Sequence, residues 1–194
     1  MKKILLAVAV TMLVFGVAKT QSWKIDGAHS RVEFSVTHLL ISEVTGRFKD
    51  FDVRFTQGED DFSGSKIEAT IKTASINTEN EFRDKDLRSD NFFNAEKYPE
   101  IKFVSTAFEK TGENIYKIAG DLTIRDVTKS VTLDAKLLGT VTDPRGNQRA
   151  GFRATLTINR FDYGVKWNAK LDQGDLVVSK DVAITISTEF IRQK

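Results

Sequence analysis

The feature that most constrains this chain is a run of strict alternation between Ser30 and Phe55. Val32, Phe34 and Val36 fall on one parity, and Arg31, Glu33, Ser35 and Thr37 on the other. Successive side chains of a strand point to opposite faces, so this is a half-buried strand. After a break at residues 39–41, Val44, Gly46 and Phe48 alternate with Glu43, Thr45, Arg47 and Lys49. Phe51, Val53 and Phe55 then alternate with Asp52 and Arg54. The apolar set moves from even to odd numbers between Phe48 and Phe51. One extra residue does that, which predicts a β-bulge near Lys49 and Asp50. A long, bent, bulged antiparallel hairpin is what a sheet needs in order to curl and close.

The same signature recurs along the chain. Trp23 to Gly27 reads as a short lead-in ending in an Asp-Gly turn signal. Residues 57–64 form a polar loop, and Ile67, Ala69, Ile71 and Thr73 mark the next strand. Ile101, Phe103, Ser105 and Ala107 follow; Val104 and Phe108 on the opposite parity suggest an outer cover there. Tyr116, Ile118, Gly120, Leu122 and Ile124 alternate strictly, then Val131, Leu133, Ala135 and Leu137. Past an Asp143-Pro144-Arg145-Gly146 turn come Phe152, Ala154, Leu156 and Ile158, and finally Val182, Ile184, Ile186, Thr188 and Phe190. This gives about eight strands joined mostly by short turns, which favours antiparallel neighbours. Each must bury one face, by closing into a barrel or by stacking on a second sheet. The expected class is all-β: an eight-stranded antiparallel barrel with a short helical insertion.

Two stretches break the pattern. Residues 78–94 are charge-rich, lack period two and suit a helical turn or two around residues 79–88. This insertion is expected to cover one barrel mouth, laying Phe82, Leu87, Phe92 and Phe93 on the rim, with Arg83 and Arg88 as donors for an anionic head group. Residues 159–174 form a second irregular insertion containing Phe161, Tyr163 and Trp167.

The N-terminus reads as a secretory leader. Lys2 and Lys3 precede an apolar run from Ile4 to Phe15, and Gly16, Val17 and Ala18 offer the small residues a signal peptidase reads. The run is short for a membrane span. The expected division is therefore leader 1–18 and barrel 19–194, with the mature protein in a Gram-negative periplasm and no integral membrane segment. Without the two leader lysines, 27 basic residues face 27 acidic ones. That balance argues against a general nucleic-acid binder. The chain has no Cys, which excludes disulfides, thiolate metal sites, a cysteine nucleophile and a lipid-modified cysteine.

On the inward parity, small residues (Gly46, Ala69, Ser105, Gly120, Ala135, Ala154) alternate with Phe34, Phe48, Phe51, Phe103, Phe152 and Phe190. Jigsaw packing of a solid core is one reading. An apolar cavity is the other, since an eight-stranded barrel can be filled or can hold one small ligand. The absence of charge on this face favours the cavity. Its candidate lining is Phe34, Val36, His38, Phe48, Ile71, Phe103, Leu122, Ala135, Ala154 and Ile186. His38 shares the inward parity at the end of its strand, near a mouth. His29 and His38 have opposite parity and cannot chelate one metal from one strand, so no metal is expected. His29 and Ser30 are adjacent, point apart and lack a glycine elbow, so no nucleophile–base pair is assembled.

Taken in order, several segments resemble the YceI-like family. They are Trp23-Lys24-Ile25-Asp26 with His29-Ser30-Arg31-Val32-Glu33-Phe34; His38 followed by Val44-Thr45-Gly46-Arg47-Phe48; and Arg83-Asp84-Lys85-Asp86-Leu87-Arg88-Ser89. Then come Phe92-Phe93-Asn94-Ala95 with Lys97-Tyr98-Pro99; Gly120-Asp121-Leu122-Thr123-Ile124 with Val127-Thr128-Lys129; and Gly151-Phe152 with Asn159-Arg160-Phe161-Asp162-Tyr163-Gly164. Asp126 stands where that family usually has Gly, with Asp tolerating the left-handed turn, and Tyr163 where Phe is common. The resemblance implies a lipocalin-like barrel binding polyisoprenoids or other amphiphilic lipids, without enzyme activity or cofactor. Two other classes stay open: an enzyme on a lipid substrate, and a packed barrel acting through its surface or as a homodimer in a stress response.

Overall fold

The structure, a computed structural model, describes residues 21–172 and 174–194. The expected leader, residues 1–18, lies outside the described residues. In chain order the elements are β1 Gln21–Ile25, β2 Arg31–His38, β3 Ser42–Phe48, β4 Phe51–Gln57, β5 Lys66–Lys72, β6 Ile76–Asn77 and helix α1 Glu81–Arg88. They continue with β7 Glu100–Gly112, β8 Ile115–Ile124, β9 Val127–Thr142, β10 Gln148–Asn159 and β11 Asp181–Arg192. Around the barrel the order is β1, β4, β5, β7, β8, β9, β10, β11, and β11 pairs back onto β1, so the ring closes with eight antiparallel members. Closure leaves no free edge in this ring, which is how such a sheet avoids exposing unpaired backbone.

The long strand β11 explains the two kinked members of the wall. Its first half pairs with β2 through residues 183–187, and its end pairs with β1 through residues 190–192. Strands β1 and β2 are thus one wall strand interrupted by a 3-10 turn, Gly27–His29, with Asp26 accepting the Ala28 N–H. Strands β3 and β4 form the second, interrupted at Lys49 and Asp50. The parity change expected there is a full strand break. The lead-in at Trp23 is corrected: it is strand β1, and Trp23 is buried opposite Phe55. Five residues are too few for alternation to announce a strand whose partners lie far along the chain.

Strand β8 follows its pattern closely, with Tyr116, Ile118, Gly120, Leu122 and Ile124 all buried. Strand β7 does not. Its register against β8 shifts between Ser105 and Ala107, so the downstream side chains swap faces and Phe108 turns inward, 3% exposed. The outer cover expected over Phe108 is therefore not needed; Val104 stays on the outer face, half exposed. Ser105 Oγ accepts the Ile67 N–H at 2.8 Å, which satisfies a donor beside the bulge.

Two glycines on the inner face are there for close approach. A Cβ on Gly46 would collide with the Phe34 ring, and one on Gly120 with the Phe103 ring. These positions are already filled by neighbouring phenylalanines, so their smallness reflects jigsaw packing. Ala69, Ala135 and Ala154 line the barrel's interior cavity, with Ala135 and Ala154 also packed at the edge of the buried core.

Candidate functional site

The lower end of the barrel carries the 58–65 loop and the β7–β8 and β9–β10 turns. It is solid. Phe55 meets Phe62, Phe108, Phe152 and Phe190 with ring centroids 4.8–6.1 Å apart, the spacing of favourable offset and edge contacts. Phe62 comes from the polar loop. Gly64 N–H donating to Phe108 O (2.9 Å) and Tyr116 Oη donating to Asp61 O (2.8 Å) fold that loop back over the end. The loop therefore inserts a phenyl plug, which composition alone concealed.

Above this floor lies an apolar cavity of about 470 Å³. The sequence-predicted residues Phe34, Val36, His38, Phe48 and Ile71 line it from β2, β3 and β5. Phe103, Leu122, Ala135, Ala154 and Ile186 line it from β7 to β11. All ten come to one space because each lies in a stretch where its own strand's alternation is unbroken. Its wall is mostly aliphatic and aromatic, with Glu33, Thr78 and Thr188 among the lining residues. His38, Arg83, Asp86 and Arg160 border it at the upper end.

Two insertions shape that mouth. Helix α1 starts at an Asn80 cap that accepts the Arg83 N–H at 3.0 Å, with Glu81 and Asp84 in its first turn and Lys85 and Arg88 in its last. Those charges oppose the helix dipole. A helix of eight residues is marginal alone, and tertiary bonds fix it. The buried Asp84 carboxylate accepts from Thr78 N (2.8 Å) and Thr78 Oγ1 (2.6 Å). Arg83 donates to Thr78 Oγ1 (2.7 Å) and Thr78 O (2.9 Å). Arg83, Phe92 and Phe93 border the cavity, as does Phe82. Arg88 does not: its Nη1 donates to the carbonyls of Ala74 and Ile76, each at 3.3 Å. Its expected place at the mouth is corrected; it ties the end of α1 to the β5–β6 connection.

The second insertion, residues 160–180, faces the first. Phe92 stacks on Trp167 with centroids 5.5 Å apart. Arg125, from the β8–β9 turn, links the two: its Nη1 donates to Phe92 O (3.0 Å) and Gly164 O (2.7 Å). The left-handed residue of that turn is Arg125, φ +58°, not Asp126. Asp126 instead accepts from Tyr98 Oη at 3.0 Å, which lowers its pKa.

Arg160 is 6% exposed. It donates to four backbone carbonyls, those of Ser179, Val165, Trp167 and Val178, at 2.8–3.1 Å. Burial pushes its pKa down. It organises the insertion from within. Its signal was present in the sequence: Arg160 continues the inward parity of Phe152, Ala154, Leu156 and Ile158.

His29 lies on the outside, its Nδ1 3.1 Å from Asp26 Oδ2. Among the described residues, Asp26, His29 and Glu189 place ligand-type atoms within 4.8 Å of one another, but Arg149 already occupies their carboxylates, at 2.8 Å from Asp26 and 2.5 Å from Glu189. Its Nε also meets Asp143 at 2.8 Å. Ser30 Oγ accepts the Glu189 N–H at 3.0 Å, so it belongs to the kink.

A closed antiparallel barrel plugged at one end, with an apolar cavity reaching a loop-bordered mouth at the other, defines a lipocalin-like architecture. The chain belongs to the YceI-like family, whose domain profile matches residues 23–190. It is 43% identical to Protein YceI of Escherichia coli over 198 residues, covering 100% of both chains. The crystal structure of the Campylobacter jejuni YceI protein superposes with a TM-score of 0.70 at 31% identity, covering 100% of both. A polyisoprenoid binding domain from Saccharophagus degradans shares the fold, with a TM-score of 0.62 and 14% identity over 88% of this chain and 98% of that one.

Proposed function

We propose that this protein binds a long-chain isoprenoid or similar amphiphilic lipid, non-enzymatically, to carry or sequester it in the periplasm. The observation that carries the proposal is the apolar cavity of about 470 Å³ between aromatic floor and insertion-bordered mouth. Its size lies within the range of about 300–1,000 Å³ typical of ligand sites. The ten inward residues, Phe34 to Ile186, act as the binding wall. Each buried methylene contributes about 0.8 kcal/mol, so a chain binds tightly without specific polar contacts, and selectivity among chains is loose.

The distribution of polarity orients the ligand tail-first. The tail meets the aromatic floor, and the polar end stays beside His38, Arg83 and Asp86. Phe92 and Phe93 act as a lid. The cavity supports carriage over the packed-barrel alternative. The periplasmic assignment rests on the leader. Intact-mass measurement tests it: a secreted form beginning at or soon after Lys19 is expected, and retained Met1 would contradict it.

The main test is mass spectrometry of lipid extracted from protein isolated without detergent. An isoprenoid-type lipid near one per protein is expected. Protein that carries no lipid, and takes up none when a polyprenol is supplied, would overturn the proposal.

A further inference from the structure

Three large apolar side chains project into solvent beside the mouth: Leu40 at 58%, Ile41 at 85% and Phe82 at 87% exposure. The first two form the tip of the β2–β3 hairpin, and the third stands on α1. Both groups surround one opening, since Val36, His38 and Val44 at the hairpin's base line the cavity together with Phe82.

The tip is unusual in backbone as well as in exposure. Leu39 and Leu40 have φ of +53° and +63°, the pairing of a type I′ turn, where Asn-Gly is strongly preferred. Leucine meets steric resistance in the left-handed region. Neighbours fix the conformation: Leu39 N–H donates to Val177 O at 2.8 Å, and Ile41 N–H and Ser42 Oγ donate to His38 O, each at 3.2 Å. Two local rules are broken at one place, turn chemistry and the burial of large apolar groups. Such coincident violations mark functional positions.

We propose that the hairpin tip and Phe82 form a wedge that enters the acyl layer of a phospholipid membrane, seating the mouth there so that lipid passes between bilayer and cavity. The passage of lipid rests on the reading of the cavity given above; insertion of the wedge stands on the tip itself. The partner is a membrane because an apolar chain reaches a protein from a lipid phase, and because the exposed groups adjoin the opening to that chain's site. The charged residues adjoining these segments, Glu43, Glu79, Glu81, Arg83, Lys85 and Asp86, are of mixed sign with acidic groups in slight excess. Docking is therefore apolar and should survive high salt. Leu138 and Val141 are also exposed, but on β9 toward the lower end, and serve as internal controls.

The test is co-flotation of the isolated secreted protein, its N-terminus fixed by intact mass, with phosphatidylcholine vesicles. Ile41→Asp and Phe82→Asp should each lower association about tenfold, the loss expected when one apolar anchor is removed, while Leu138→Asp leaves it unchanged. A second variant, Leu39→Asn with Leu40→Gly, suits the turn better. It should raise Tm while lowering association, a pair of signs that a purely structural tip would not give. The proposal is overturned if the wild type does not float with vesicles, if association collapses in high salt, or if Leu138→Asp loses as much as Ile41→Asp. It is equally overturned if the tip instead mediates a concentration-dependent dimer that Ile41→Asp abolishes. Lipid that co-purifies without vesicle docking would remove the wedge and leave carriage standing. Docking without any bound lipid would do the reverse.

Discussion

At the lower end Phe55, Phe62, Phe108, Phe152 and Phe190 meet ring to ring, whereas at the upper end Phe34, Phe48, Phe92 and Phe93 surround a cavity. Both ends draw on the same strands and the same alternation of large and small residues. What differs is how the strands are joined. Below, the β7–β8 and β9–β10 connections are tight turns, and the 58–65 loop contributes Phe62 as a plug. Above, two long insertions span the opening and touch through Phe92 and Trp167. Alternation makes a barrel; the connections decide whether its interior is solid or hollow.

The largest expected effect lies in the floor. Phe55→Ala removes a ring that is 2% exposed and touches four other phenylalanines. It should cost about 3–5 kcal/mol in denaturant unfolding. Phe34→Ala at the hollow end should cost less, roughly 1–2 kcal/mol, because only part of that ring's area leaves water on folding. Equal costs at the two positions would erase the distinction between solid and hollow ends.

A kinetic effect of intermediate size should appear at the lid. Phe92→Ala with Phe93→Ala removes the stack on Trp167 and a rim contact with Phe48. Aromatic pairs contribute about 0.5–1.5 kcal/mol beyond their area, so lipid release should quicken roughly two- to tenfold with the fold intact. Unchanged release in stopped-flow displacement would remove the lid.

The smallest effect concerns the outer clamp at Arg149, which joins the β9–β10 turn to the kink and β11 without touching the cavity. Hydrogen bonds from Arg149, then His29, hold Asp26 down to about 2 from an ordinary 3.8, and Arg149 likewise depresses Asp143. A depressed carboxylate binds fewer protons folded than unfolded, so stability falls as pH drops from about 4 toward 2. Arg149→Met should flatten this acid limb in a pH series of melting curves and leave lipid release unchanged. An unaltered acid limb would show that the clamp contributes nothing.

Much of the architecture was legible because period two survives burial on one side. Strand β8 could be read residue by residue, and the break at Lys49 and Asp50 announced itself as a change of parity. The inward positions of all ten predicted lining residues follow from the same arithmetic. What stayed hidden depends on partners distant in sequence. Phe108 lies on the face opposite to the one its parity indicates, because a bulge shows only against its neighbour strand. Trp23 looked like a lead-in because β1 is short. Gly46 and Gly120 suggested empty space, but phenylalanines fill it. Arg88 and Arg125 both act through backbone carbonyls, contacts that leave no pattern in side-chain chemistry.

If the cavity holds a lipid chain, the space beside Ala135 belongs to that chain. Ala135 is buried on β9, lines the cavity and lies opposite Tyr116 and Ala154 on its neighbours. Measuring lipid content and Tm together for Ala135→Trp tests this directly. The indole should occupy the cavity, so that bound lipid is lost while Tm hardly moves. A packed interior would instead be overfilled, with a loss of roughly 1–3 kcal/mol. That loss of stability, or lipid retained at normal stability, would show that no lipid chain occupies the space beside Ala135.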